Sequence, residues 1–206
     1  MTNYSLEDVN NIYFDVLKEI GNIGAGNATT AIASMLQLRL DMNVPKVQLL
    51  SFPELGGAVG GEETQIVGIY LEVGSDISGS MMFLLTMESA RFLVNKMMMK
   101  EGGSTESFDE IEMSALKEVG NIIAGSYLSA LASMTQLTIT PSVPYLAIDM
   151  AAAILSVPAI QFGQYGDNAL LIQTEFGDDV MIDGYFILLP DLESYGKILS
   201  SLGIQV

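Results

Sequence analysis

Two short spacings in this chain could do chemistry. Glu19-x-x-Asn22 and Glu118-x-x-Asn121 each set a carboxylate and a carboxamide three residues apart. On a helix that spacing puts both groups on one face. A carboxamide is neither a base nor a nucleophile at neutral pH, but it donates to and accepts from a water and so can orient it. An exposed carboxylate can pair with a lysine of a docking partner. Together they amount to half of an active site whose electrophile and metal come from another protein. Phosphoryl transfer suits that division, because positioning and electrostatics carry nearly all of its catalysis. A plain alternative stands beside it: a solvated helix face, copied by duplication and idle.

Composition removes most other chemistries. Among 206 residues there is no Cys and no His. Disulfides, a Cys nucleophile, a zinc site and a Ser-His-Asp triad are therefore out of reach. Gly56–Gly61 has the glycines of a phosphate loop without the Lys-Ser/Thr that should follow. Asp178, Asp179 and Asp183 lack the spacing of a calcium loop. The 13 Met residues, with a run at Met97–Met99, read as core filler or an adaptable interface rather than a metal site. No metal or cofactor of its own is expected.

Lys plus Arg number 8 and Asp plus Glu 25, a net charge of −17. That balance argues against nucleic acid and anionic membrane as partners, since both call for a basic face. It suits a basic patch on a partner, or plain solubility. The start, MTNYSLEDVNN, lacks the basic and apolar regions of a signal peptide. The longest weakly polar stretch, Leu146 to Ile160, carries Asp149 and Pro158 and is too short to span a bilayer. A cytoplasmic chain is expected.

The elements that must position the two pairs are duplicated. Lys18–Pro45 and Lys117–Pro144 align without a gap at an offset of 99, with 15 of 28 positions identical. Strand-like runs follow the first segment at Val47–Phe52, Gln65–Val73 and Ser80–Thr86, and a Met-rich helix at Glu88–Lys100 closes that half. The second half offers Ala169–Phe176, Val180–Leu189 and a closing helix from Asp191 to about Leu202. One domain over 1–206 is expected, with half one at 1–100, a polar linker at 101–110 and half two at 111–206.

The first long helix is expected from Ser5 or Leu6, with Ser5 as its N-cap. Ile12, Val16, Ile20 and Ile23 form its apolar arc, with Tyr13 and Leu17 at the margin, while Asp15, Glu19 and Asn22 lie on another face. In the second half Ile111, Ala115, Val119 and Ile122 repeat the apolar arc, and Ser114, Glu118 and Asn121 the polar one. Lys18 and Lys117 are also retained. Gly21, Gly26, Gly120 and Gly125 sit mid-helix at about 1 kcal/mol each relative to Ala, which calls for close packing or function to offset it. One segment is not shared. Asp149–Ser156 (DMAAAILS) favours a short helix, where the first half has the loop-like Phe52–Glu62.

These residues carry a resemblance. Asp15-x3-Glu19-x2-Asn22-x22-Pro45 and Ser114-x3-Glu118-x2-Asn121-x22-Pro144 both fit the signature of the CheC-type chemotaxis phosphatases, a family that includes CheX and FliY. The lack of a long N-terminal extension or an extra C-terminal domain points to its stand-alone CheC branch. The resemblance implies hydrolysis of the phospho-aspartate on the response regulator CheY, with Mg2+ held by CheY. It implies that Glu19 and Glu118 bridge to the regulator's active-site lysine, and that Asn22 and Asn121 position the attacking water. Asp15 and Ser114 would support the docking face, or be ordinary helix-surface residues. Pro45 and Pro144 would end the helix-to-strand connection. The family also implies CheD, a receptor-modifying deamidase, as a partner. Asp149, Met150, Ala151, Ala152, Ala153 and Ile154 are the candidate contact, or else a helix that covers a sheet edge.

The expected fold is α/β and internally duplicated: two pseudo-symmetric halves whose paired long helices lie on one face of a mixed β-sheet. A monomer is expected, since the chain supplies its own pseudo-twofold. The rival function is a non-catalytic adaptor that regulates CheD or holds phosphorylated CheY, and a third is a scaffold with an idle polar stripe.

Overall fold

Local signals account for where α-helices of both halves begin. The computed structural model of the chain describes residues 11–36, 41–100, 107–162, 168–177 and 181–203. The expected helix start at Ser5 lies outside them. The first half runs α1 (Asn11–Leu36), β1 (Asp41–Ser51), α2 (Phe52–Ala58), β2 (Gln65–Ser75), β3 (Gly79–Thr86) and α3 (Met87–Met97). The second runs α4 (Glu110–Thr135), β4 (Ile139–Pro141), β5 (Tyr145–Met150), α5 (Ala151–Phe162), β6 (Asn168–Gly177), β7 (Met181–Pro190) and α6 (Leu192–Ser201). Thr86 caps α3 by accepting from the Ser89 amide (3.0 Å), and Asp191 caps α6 by accepting from the Ser194 amide (2.7 Å). Asp109 and Glu112 form a capping box at the start of α4.

Two local expectations change. Phe52–Glu62 is not simply a loop, because Phe52–Ala58 forms α2, with Glu54 accepting from the Ser51 amide at 2.9 Å. The Ser-x-x-Glu spacing that dictates this stands in the sequence. Its counterpart α5 is longer than Asp149–Ser156 suggests, and Asp149 and Met150 belong to β5 rather than to the helix. The asymmetry between the halves is therefore one of helix length. Of the predicted linker, 101–106 lie outside the described residues, while Phe108 is buried beneath the Arg91 guanidinium, 3.8 Å above its ring.

The sheet joins the halves by exchange. Its order is β1-β6-β7-β3-β2-β4, with β5 also on β2. Hairpins β2–β3 and β6–β7 meet where Phe83 lies opposite Phe186. The strands that follow the long helix of each half then pair in the other half: β1 with β6, and β4 and β5 with β2. Every described pairing is antiparallel, so the sheet is not the mixed one expected. The reason is topological: each half contributes two consecutive strands paired antiparallel, and the two pairs meet through an antiparallel β3–β7 contact.

Side chains alternate between two cores. Val67, Ile69 and Leu71 of β2, with Met81, Phe83 and Leu85 of β3, face α1, α4, α3 and α6. Ile66, Met82 and Leu84 face α2 and α5. The long helices thus pack together on one face, as expected, and the two short helices cover the other.

The prolines also behave differently from expectation. Pro45 lies inside β1, at the register shift between Asn43 and Lys46, rather than ending the connection before a strand. In the second half the equivalent stretch is broken into β4 and β5, with Pro144 immediately before β5. A proline has no amide to give the ladder, so it is accommodated at a bulge or a break.

Candidate functional site

The two Glu/Asn pairs sit on the outer surface of the paired helices. Glu19 and Asn22 are exposed on α1, as are Glu118 and Asn121 on α4, with Lys18 and Lys117 exposed beside them. Among the described residues no hydrogen bond or ion pair occupies any of the four. A Glu and an Asn three residues apart on a fixed helix present a carboxylate and a carboxamide to the same approaching surface. Neither requires the helix to rearrange.

Other residues of the motif contribute less. Ser114 is exposed, and its hydroxyl donates to the Glu110 carbonyl (2.9 Å), so it is engaged with its own helix. Asp15 falls within α1, but its side chain lies outside the described residues, as do those of Ile12, Tyr13, Leu17 and Pro45.

The buried stripe is rotated from the predicted one. On α4 it runs through Leu116, Val119, Gly120, Ile123 and Tyr127, while Ile111 is 68% exposed and Ala115 and Ile122 are only half-buried. On α1, Ile20, Ala25, Ala28 and Ile32 are buried, Val16 is partly buried and Ile23 is 37% exposed next to Asn22. Each helix packs on the sheet and on its twin, and those two contacts together set its rotation.

Packing between the helices fixes the pairs in space. A Cβ on Gly24 would lie 2.7 Å from Tyr127 Cδ1 and 3.0 Å from Tyr127 Cα, so α1 and α4 approach closely two residues past Asn22. Tyr127 in turn stacks on Phe186 (centroids 4.3 Å apart) and shares a 3.2 Å hydrogen bond with Thr174. Burial pushes its phenol up to about 12. A Cβ on Gly120 would meet Ile69 Cγ2 at 2.6 Å, so α4 rests directly on β2 next to Asn121. These two glycines are required by close packing.

The sequence reading missed one anchor. Glu112, buried in the first turn of α4, accepts from Lys100 Nζ (2.8 Å), Arg91 Nη1 (3.1 Å) and the Asp109 amide (3.1 Å). Its hydrogen bond with Lys100, with the Asp109 amide and Arg91 behind it, outweighs burial and lowers its pKa to about 2. The cluster ties the end of half one to the helix that carries Glu118 and Asn121. Its signal was the Asp109-x-x-Glu112 capping box; the offset of 99 places Tyr13 at the equivalent position of α1.

The candidate CheD contact is divided. Asp149, Met150, Ala152 and Ala153 are exposed, whereas Ala151 and Ile154 are buried on the sheet-facing side of α5. The outer face of α5 continues past that segment through Val157 and Ile160, the latter 80% exposed. Ala153, Val157 and Ile160 thus make an apolar line at i, i+4 and i+7.

Comparison with known proteins brings these features together. The model of the CheC-like family matches residues 14–49 and 111–148, the two segments that carry the repeated motif. A Bacillus subtilis (strain 168) protein named CheY-P phosphatase CheC is 37% identical over 197 residues, 93% of this chain and 94% of the relative. The flagellar motor switch phosphatase FliY of the same organism is 24% identical over 203 residues, 96% of this chain but 51% of FliY. The crystal structure of Thermotoga maritima FliY has the same fold, with a TM-score of 0.75 at 21% identity, covering 95% of this chain and 98% of that one. Among the described residues no helix is long and apolar enough to cross a membrane.

Proposed function

The chain belongs to the CheC-like family, and on that premise we propose that it hydrolyses the phospho-aspartate of CheY, each Glu/Asn pair serving as half of an active site completed by CheY. The observation that carries this reading is the twice-repeated, outward-facing pair with no partner among the described residues.

The chemistry asks little of the chain. Water attacks phosphorus in line with the acyl oxygen, the P–O bond breaks, the aspartate leaves as a carboxylate and the water's protons remain on the phosphate or pass to solvent. A carboxylate with an ordinary pKa near ~4 leaves without a general acid. A site lacking His and Cys can therefore suffice, provided the water is held. Asn22 and Asn121 hold it by donating and accepting at once. Glu19 and Glu118 pair with the regulator's active-site lysine and set the helix over the phosphate. The Mg2+ that offsets the developing charge belongs to CheY.

The finer parts of the reading are proposed with it. The chain acts as a monomer, since α1 and α4 already supply the twofold pairing within one chain, and its place is the cytoplasm, where a chemotaxis response regulator would be met. CheD docks on the outer face of α5, where the line Ala153, Val157 and Ile160 offers an apolar strip.

The test is the decay of phosphorylated CheY with wild type, Asn22→Ala, Asn121→Ala and the double variant. Acceleration by wild type, partial loss in each single variant and full loss in the double variant are expected. A double variant that still accelerates the decay would exclude the assigned roles. Retained binding without acceleration by wild type would establish an adaptor instead.

A further inference from the structure

Four of the mid-helix glycines divide into two kinds. Gly24 and Gly120 are forced by neighbours, but a Cβ built on Gly26 or Gly125 meets, apart from its own helix backbone, no atom of the described residues within 4 Å. Glycine inside a helix is less favourable than alanine, because the chain gives up more backbone freedom. Among the described residues nothing packed against either position offsets that penalty, and the penalty recurs at equivalent places in the two halves.

Their location says what the space is for. Gly26 follows Asn22 by four residues and Gly125 follows Asn121 by four, so each lies one turn farther along the same face. Glu19, Asn22 and Gly26 fall within an arc of about 60°, and so do Glu118, Asn121 and Gly125. Gly26 is exposed and Gly125 is half-buried. The Gly26 carbonyl already accepts from the Thr30 hydroxyl (3.0 Å). What this position offers a partner is therefore shape: a stretch of helix with no side chain standing off it.

We propose that Gly26 and Gly125 are clearance positions, which let the surface of phosphorylated CheY lie against the bare helix one turn beyond each Asn. The acyl phosphate then comes within reach of the carboxamide. This rests on the phosphatase reading above. A methyl group at either position stands about 1.5 Å off the backbone and lifts the docked regulator. A displacement of about 1 Å from reacting geometry can cost on the order of 100-fold in rate.

The experiment isolates each site. Gly26→Ala is made in the Asn121→Ala background, and Gly125→Ala in the Asn22→Ala background. Each is read by thermal unfolding, by the rate of CheY-P decay over a range of CheY-P concentrations, and by affinity for CheY carrying beryllofluoride and Mg2+. The unfolding midpoint should rise by about 1–4 °C, because alanine is the better helix former and has room. At the same site kcat/KM should fall ten- to a hundredfold, through both a lower kcat and a weaker beryllofluoride-CheY affinity. A structural glycine would give the reverse pattern, a lower midpoint, and that result overturns the proposal. So does an alanine variant that keeps kcat/KM and affinity within about twofold. If wild type leaves CheY-P decay unchanged, the phosphatase reading fails, and beryllofluoride-CheY affinity alone decides whether the glycines clear a docking face.

Discussion

Replacing Glu112 with Gln should uncouple the start of α4 from half one, in a way that depends on pH. The substitution keeps the shape and the acceptor for the Asp109 amide while removing the charge that Lys100 and Arg91 face. The carboxyl is lowered from 4.5 to about 2. At ~1.4 kcal/mol per pKa unit, that corresponds to a ceiling of about 3 kcal/mol of folding stability at neutral pH. The Lys100 side chain is 42% exposed, and solvent screening of its share brings the expectation to about 2 kcal/mol. A depressed pKa means the stabilisation is complete above the unfolded-state value and is lost as pH falls from about 4.5 towards 2. At pH 3 about 1 kcal/mol should remain. Urea unfolding of wild type and Glu112→Gln at pH 7, 5, 4 and 3, followed by circular dichroism, measures the gap directly. A gap under about 0.5 kcal/mol at pH 7, or one that stays constant down to pH 3, would refute the assignment of the shift to this ion cluster.

Two further predictions are independent of this one. Gly24→Ala and Gly120→Ala should each destabilise by about 1–2 kcal/mol, since overpacking against Tyr127 or Ile69 exceeds the gain in helix propensity; denaturant midpoints check this, and a stabilised variant would contradict the close approaches. Val157→Glu combined with Ile160→Glu should lower affinity for CheD at least tenfold and leave CheY-P decay unchanged, because α5 lies on the opposite face of the sheet from α1 and α4. Equal CheD binding by calorimetry would place that contact elsewhere.

Much of the candidate site's placement was legible in the sequence because its signals are local. The Glu-x-x-Asn spacing, its repetition at an offset of 99 and the helical period together place Glu19, Asn22, Glu118 and Asn121 on outward faces, and there they stand. Element types were legible for the same reason, with the capping residues of α3 and α6 marking their starts. The expectation for Phe52–Glu62 erred by overlooking a capping box that was present. The predicted apolar arc of α4 erred for a different reason: Ile111 and Ile122 satisfy the helical period yet lie at or beyond the edge of the buried stripe.

The sequence by itself determined that the chain is a duplicated α/β protein with two matched polar pairs on two long helices. Those properties follow from composition, period and spacing within single segments. Tertiary structure alone decided that the strands following the long helix of each half pair in the other half, that the described sheet pairings are antiparallel, and that Glu112 meets Lys100 and Arg91. It also separated the glycines pressed against Tyr127 and Ile69 from those left open beside the Asn residues. Each of these depends on which segment lies next to which, and the period of one segment carries no record of its neighbour across a sheet or a helix pair.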